Sequence, residues 1–360
     1  MDKMNFIRKI SVAVFLIFPL LLLAIIFCSA DRSISANENR TLKTKSDVKW
    51  SVTNGAFQNW LEDYLSDQFP LRDSLKQAEI ECRLAFGAQE LGGAYIGEGG
   101  RLFQKVTQAN VNEAACLRYA RRVNRLAAET ELPTYVMYVP SAGVALQQQL
   151  PKGAPMYDGD ALFAELIKEL PDTQVIDLRR RMASDAGNYY ATDHHWTAQG
   201  AQSAYQAWCQ VHEIAPQEAE LVSVSDTFQG TLYSKVPSRR VPMDTIRAIK
   251  LDPLPDLLAD GQEIPFYDAA ALATKDQYNF FQGGNHGIAV VTNSAIDEGQ
   301  GKTLLLLKDS FANSLVPFLI GHYRQIIMID ERYAFVDAGE LAQAYGVDEI
   351  AVVRELISTP

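Results

Sequence analysis

Basic charge runs short in this chain of 360 residues: 33 Lys and Arg stand against 44 Asp and Glu, for a formal net charge of -11. A nucleic-acid surface needs clustered cations to meet phosphates, so that class of partner is excluded. The single basic run, Arg179-Arg180-Arg181, reads as a solvated helix end. Cysteine is scarce as well. Cys28, Cys82, Cys116 and Cys209 lie far apart with no C-x-x-C spacing, which argues against a disulfide framework and leaves one bridge among the last three open. There are five histidines, with neither H-x-H nor H-E-x-x-H among them, and no internal repeat. What is abundant is apolar sequence: at 48% hydrophobic and 21% charged, the chain can bury a large core.

Charge is missing altogether from Ile10 through Ala30, a run of about 30 Å as a helix rising about 1.5 Å per residue, enough to cross a bilayer. Lys3, Arg8 and Lys9 precede it and Asp31 follows. The positive-inside rule places residues 1–9 in the cytoplasm and everything after residue 30 on the extracytoplasmic side. The expectation for 10–30 is a single-pass membrane anchor. The alternative is a signal peptide cleaved near Cys28-Ser29-Ala30, which would release a secreted protein. Residues 31–55 are polar without an apolar period and read as a linker.

The rest, 56–360, reads as one domain. Phe57, Trp60, Leu61, Tyr64 and Leu65 have helical spacing, ending before Phe69-Pro70, and a second helix is expected over Leu75 to Phe86. Ala94 to Phe103 reads as a hairpin around a glycine turn. Helices near 109–130, 158–169, after Thr197, after Ser310 and near 338–344 then alternate with strands. Those strands are Thr134 to Val139, Gln174 to Leu178, Ile288 to Thr292, Thr303 to Leu307, Gln325 to Ile329 and Glu349 to Val353. Short buried strands separated by helices predict an α/β fold, a parallel sheet with helices on both faces. Residues 215–285, with six prolines, read as an irregular insertion near the site.

Ligands of such sheets bind outside the carboxyl ends of the strands. There the strand Thr303 to Leu307 runs into Lys308-Asp309-Ser310-Phe311-Ala312-Asn313. Ser310 would hold its hydroxyl at that edge, where a nucleophile belongs, although a serine here also suits a helix N-cap. A serine nucleophile needs a base, and the base an orienting acid. T-D-H-H-W-T (192–197) supplies both, since Asp193 and His195 at i, i+2 in an extended segment point to one side and His194 to the other. Trp196 could wall the pocket or sit in the core. A metal site from Asp193, His195 and His286 is the competing reading, without motif support. Donors for a developing oxyanion would be the Ser310 N–H, Gly284 and Asn285 in the Gly-Gly-Asn turn, and Asn313. Tyr190 is among the aromatic residues expected around the cleft.

With those residues in place, the chain resembles the bacterial proteins named for their D-H-H-W motif, relatives of the alginate O-acetyltransferase-like branch of the SGNH-hydrolase superfamily. The stretches that carry the resemblance are F-Q-N-W-L-E-D-Y-L-S-D-Q-F-P-L-R (57–72), V-M-Y-V-P-S-A (136–142), Y-Y-A-T-D-H-H-W-T-A-Q-G-A (189–201), N-F-F-Q-G-G-N-H (279–286) and L-L-L-L-K-D-S-F-A-N-S-L-V-P-F-L (304–319). The resemblance implies a flavodoxin-like sheet with Ser310 as nucleophile, His195 as base and Asp193 as its acid. It departs from the wider superfamily in three ways: acid and base precede the serine, they are spaced D-x-H, and Lys308 stands where glycine is usual before D-S.

The expected function is extracytoplasmic: an O-acetyltransferase or acetylesterase acting on a cell-surface or secreted polysaccharide, with no cofactor and no metal. By the same resemblance, a multi-span membrane acyltransferase would supply the acyl group. The alternative is a catalytically silent carbohydrate-binding or polysaccharide-assembly protein of the same fold.

Overall fold

The computed structural model describes residues 2–360 apart from Ala36, Asn39, Ala219 and Glu298, with side chains from Asn5 onward. The chain divides into two compact units, residues 1–88 and residues 89–360.

In the first unit, helix α1 (Asp2–Cys28) contains Asn5–Cys28, long and apolar enough to cross a membrane. Helices α2 (Ala56–Asp67) and α3 (Arg72–Ala85) follow the predicted apolar period. The segment read as a linker is tied down on them. Trp60 Nε1 donates to the Thr44 carbonyl at 3.1 Å, the Lys43 N–H donates to Asp67 at 2.9 Å, and Arg40 pairs with Asp67. Its polar residues serve as partners for buried charges on α2 and α3, which an apolar period cannot reveal. Through these contacts α2 and α3 group with the residues before them rather than with the domain that follows.

The second unit is built on an eight-stranded sheet. Its strands are β1 (Thr134–Val139), β2 (Gln174–Val175), β3 (Asp256–Ala259), β4 (Gln262–Glu263), β5 (Ile288–Thr292), β6 (Lys302–Lys308), β7 (Tyr323–Ile329) and β8 (Glu349–Glu355). Their order is β4-β3-β5-β7-β6-β8-β1-β2. From β7 to β2 the pairing is parallel, with Leu306 opposite Met328 on one side and Ala351 on the other. β5, β3 and β4 extend the sheet antiparallel. The parallel expectation therefore holds for five strands. β5 departs from it because it enters from the long excursion after α6 (Ala198–Val211) rather than from a crossover helix.

Strand β6 shows why the sheet is buried on both sides. Leu304 and Leu306 point into one apolar cluster, with Trp208 and Ala204 of α6, while Leu305 and Leu307 point into another. That second cluster holds Tyr119 and Val123 of α4 (Glu113–Thr130), Phe163 of α5 (Gly159–Lys168) and Ala342 of α7 (Ala338–Ala344). Each buried leucine contributes roughly 1.5–3 kcal/mol. Asn112, Asp158, Thr197 and Asp337 cap α4, α5, α6 and α7 with side-chain oxygens.

The predicted hairpin forms, with Tyr95 opposite Phe103. The region 215–285 is more ordered than its prolines suggest: Leu221–Phe228 pairs antiparallel with Asp244–Ile249, and β3 and β4 join the sheet edge. All four cysteines are free thiols.

Candidate active site

Ser310 follows β6 after one residue, Asp309, at the carboxyl edge of the parallel strands. The expected helix there is a 3-10 turn, Ser310–Ser314, followed by the short helix Val316–Leu319. Asp309 organises the turn. One carboxylate oxygen accepts the Phe311 N–H at 3.0 Å, the other accepts the Glu355 N–H at 2.8 Å, and Asp309's own N–H donates to the Val353 carbonyl at 3.2 Å. Asp309 is thereby buried while Ser310 stays partly exposed.

Residues 189–197 form a narrow loop closed by the Tyr190 N–H to the His195 carbonyl at 3.2 Å and the Thr197 N–H to the Asn188 carbonyl at 2.9 Å. Asp244 anchors the loop by accepting the N–H groups of Ala191 and Thr192 at 2.9 and 2.7 Å. Within it, Asp193 Oδ1 lies 2.6 Å from His195 Nδ1, and His195 Nε2 lies 2.7 Å from Ser310 Oγ. The other oxygen, Asp193 Oδ2, accepts the Thr231 N–H at 2.7 Å and the Thr231 hydroxyl at 3.0 Å. Burial alone would raise the Asp193 pKa. The flanking histidines and the Thr231 N–H outweigh it and hold the carboxyl well below the usual carboxylate range. An ionised Asp193 fixes the His195 tautomer with its proton on Nδ1, leaving the Nε2 lone pair toward the serine hydroxyl.

His194 does not face away from this group. Its ring lies 3.8 Å from that of His195 and its Nδ1 lies 3.0 Å from Thr231 Oγ1. The loop turns too tightly for strand-like alternation. Burial, and then the neighbouring His195, lower the His194 pKa to about 4, so its ring is neutral near pH 7.

Donor atoms of Asp193, His194 and His195 come within 4.8 Å of one another, a spacing that suits a metal ion. Yet Asp193 spends Oδ1 on His195 and Oδ2 on Thr231, and His195 Nε2 faces Ser310, so a metal would have to displace these hydrogen bonds. His286, the third ligand of the metal reading, instead contacts Asp260 at 3.1 Å and the Gln282 carbonyl at 2.9 Å.

The expected oxyanion donors divide. Asn313 is buried, and its amide is spent: Nδ2 donates to the Gly284 carbonyl at 3.2 Å and to Asn285 Oδ1 at 3.3 Å, while Oδ1 accepts from Lys308 Nζ at 2.6 Å. It braces the turn rather than meeting a substrate. Asn285 is exposed, with Oδ1 also held by Lys308 Nζ at 3.1 Å, which turns its amide nitrogen the other way. Gly284 contributes its carbonyl to that brace and, at φ 105°, takes a conformation that suits glycine. Burial lowers the Lys308 pKa to about 8, with Asp330 and Asp309 opposing that shift.

Two aromatic residues expected at the cleft belong to its foundation. Trp196 is fully buried, and its indole N–H donates to the Phe311 carbonyl and Ser314 Oγ, both at 2.9 Å, tying the histidine loop to the serine turn. Tyr190 is buried between Phe228 and Tyr278.

Three contributors carry no motif of their own. Tyr278 stacks on His195 with ring centroids 4.0 Å apart and 7° between planes, and its hydroxyl donates to the Ser310 carbonyl at 3.2 Å. Thr231 holds Asp193. Gly230 packs so closely that a Cβ there would come 2.3 Å from the Asp193 Cβ. Tyr278 stands directly before the quoted N-F-F-Q-G-G-N-H stretch, the one signal that points to its neighbourhood.

Solved structures share this fold. A DHHW family protein from Eubacterium siraeum superposes with a TM-score of 0.61 at 20% identity, covering 74% of this chain and 92% of that one. Bacillus cereus PatB1, solved with a sulfonyl adduct, superposes with a TM-score of 0.60 at 17% identity, covering 73% of this chain and 93% of that one. No curated protein matches the sequence. A family model described as "SGNH hydrolase-like domain, acetyltransferase AlgX" matches residues 96–298, more than half of the chain, taking in Asp193 and His195. The chain belongs to that family of SGNH hydrolase-like acetyltransferase domains.

Proposed function

We propose that the chain is an extracytoplasmic O-acyltransferase or esterase that moves acetyl groups on a polysaccharide through Ser310, His195 and Asp193. The observation that carries this reading is the unbroken hydrogen-bond line from Asp193 Oδ1 through His195 to Ser310 Oγ, with steps of 2.6 and 2.7 Å. Ser310 Oγ attacks the acyl carbonyl carbon as its proton passes to His195 Nε2. The tetrahedral intermediate expels the donor's oxygen, which takes that proton, and an acyl-serine remains. A sugar hydroxyl, or water, then gives a proton to His195 Nε2 as it attacks the ester carbonyl, and the second tetrahedral intermediate expels Ser310 Oγ, which takes that proton back. Asp193 stays ionised and stabilises the imidazolium at each transfer. The Ser310 N–H and the Asn285 amide are the oxyanion donors in this scheme.

The charge bias flanking α1 favours an extracytoplasmic domain, and an acyl donor there would come from a membrane acyltransferase partner. The test is incubation with an acetyl ester donor and a panel of oligosaccharides, followed by mass spectrometry. An acetyl gain on sugar identifies transfer, and free acetate alone identifies an esterase. Formation of neither acetylated sugar nor acetate would contradict the proposal.

A further inference from the structure

The stretch F-Q-N-W-L-E-D-Y-L-S-D-Q-F-P-L-R (57–72) takes no part in the chemistry assigned to Ser310. It packs on the end of the apolar helix instead. Ile26, near the end of α1, is 4% exposed beneath Trp60 and Tyr64. The Tyr64 hydroxyl donates to the Ile26 carbonyl at 3.3 Å and to Asp31 at 3.0 Å, and Lys45 Nζ donates to the Ser29 carbonyl at 2.8 Å. A row of rings leads outward: Phe27 to Tyr64 at 5.5 Å, Tyr64 to Trp60 at 5.1 Å, Trp60 to Phe57 at 5.8 Å, and Phe57 to Trp50 at 5.5 Å. Trp50 ends the row 82% exposed. The polar half of the stretch holds the row in place, since Asp67 and Arg72, both buried, pair with Arg40 and Glu38.

Depth follows from length. The 24 residues Asn5–Cys28 rise about 36 Å as a helix at about 1.5 Å per residue, against a hydrocarbon core of about 30 Å. Ile26 and Phe27 therefore reach the boundary between acyl chains and headgroups, the depth that amphipathic Trp and Tyr rings prefer. Leu23, Ile25 and Phe27 are exposed on α1, so apolar surface continues from the span onto the row.

We propose that α2 and the segment around Trp50 form a collar lying in the lipid interface, with Trp50 among the headgroups, and that α1 is retained as part of it. Cleavage near residues 28–30 would remove Ile26 and Phe27 from beneath Trp60 and Tyr64. This rests on α1 crossing a membrane and is independent of the chemistry assigned to Ser310.

The test uses the full chain in phosphatidylcholine vesicles whose acyl chains carry bromine near the headgroup or near the chain end. Fluorescence quenching is compared between the wild type, with its four tryptophans, and Trp50→Phe. The collar predicts that shallow bromines remove a larger fraction of wild-type emission than of Trp50→Phe emission, and that deep bromines shrink the difference. Equal fractional loss in both proteins, with both floating on the vesicles, would overturn the collar. The intact mass of protein extracted from membranes should include α1, and a mass beginning near residue 31 would overturn its retention.

Discussion

Asp193 accepts four hydrogen bonds, from the His195 N–H and Nδ1 and from the Thr231 N–H and hydroxyl, and each is better made to a carboxylate than to a neutral group. Replacing Asp193 by Asn keeps the shape and changes the tautomer that His195 can hold. In the proposed mechanism kcat should fall by about 10⁴ while the fold survives, as measured by ester turnover alongside circular dichroism. At this scale the sequence is informative where residues are adjacent. T-D-H-H-W-T places Asp193 and His195 within one loop, and a serine just after an all-leucine run marks the edge where it emerges. Tyr278 and Thr231 are not legible, because they reach the site from segments far along the chain and make contacts that any loop tyrosine or threonine can make. The place of Trp196 is equally hidden, since the size and polarity of an indole suit a pocket wall and a core brace alike.

Among elements, the turn after β6 shows how a buried cation can serve a neighbouring loop. Lys308 sits 2% exposed beneath the turn and donates to Asn313 and Asn285, drawing together the serine turn and the Gly-Gly-Asn loop. Lys308→Met would leave the Asn313 side-chain carbonyl buried without its donor, a loss of about 1–3 kcal/mol. Chemical denaturation should show a loss of that size, and no loss would remove Lys308 from this role. In sequence the lysine is only a departure from the superfamily pattern, and the packing supplies its partners. Helix positions are legible, since apolar period and caps are local. The antiparallel extension of the sheet is not, because strand direction depends on where a chain returns and not on its composition.

For the whole molecule, stability should carry a pH signature. Burial, and then Asp309, raise the Glu355 pKa from the usual 4.5 to about 8. The folded chain keeps this proton where the unfolded chain has lost it. The stability contribution is full below about 4.5 and is lost as pH rises toward about 8. His194, held neutral, adds stability as pH rises over the lower part of the same range, so the readout is a difference: the melting temperature of the wild type should fall relative to that of Glu355→Gln as pH rises across the window. A constant difference would show that Glu355 titrates normally.

The central claim is that Ser310 forms an acyl-enzyme, and its most direct test is pre-steady-state release from a chromogenic acetyl ester. The account predicts a burst proportional to wild-type enzyme, absent from Ser310→Ala and unaffected by a chelator. Equal background release from both folded proteins would contradict it.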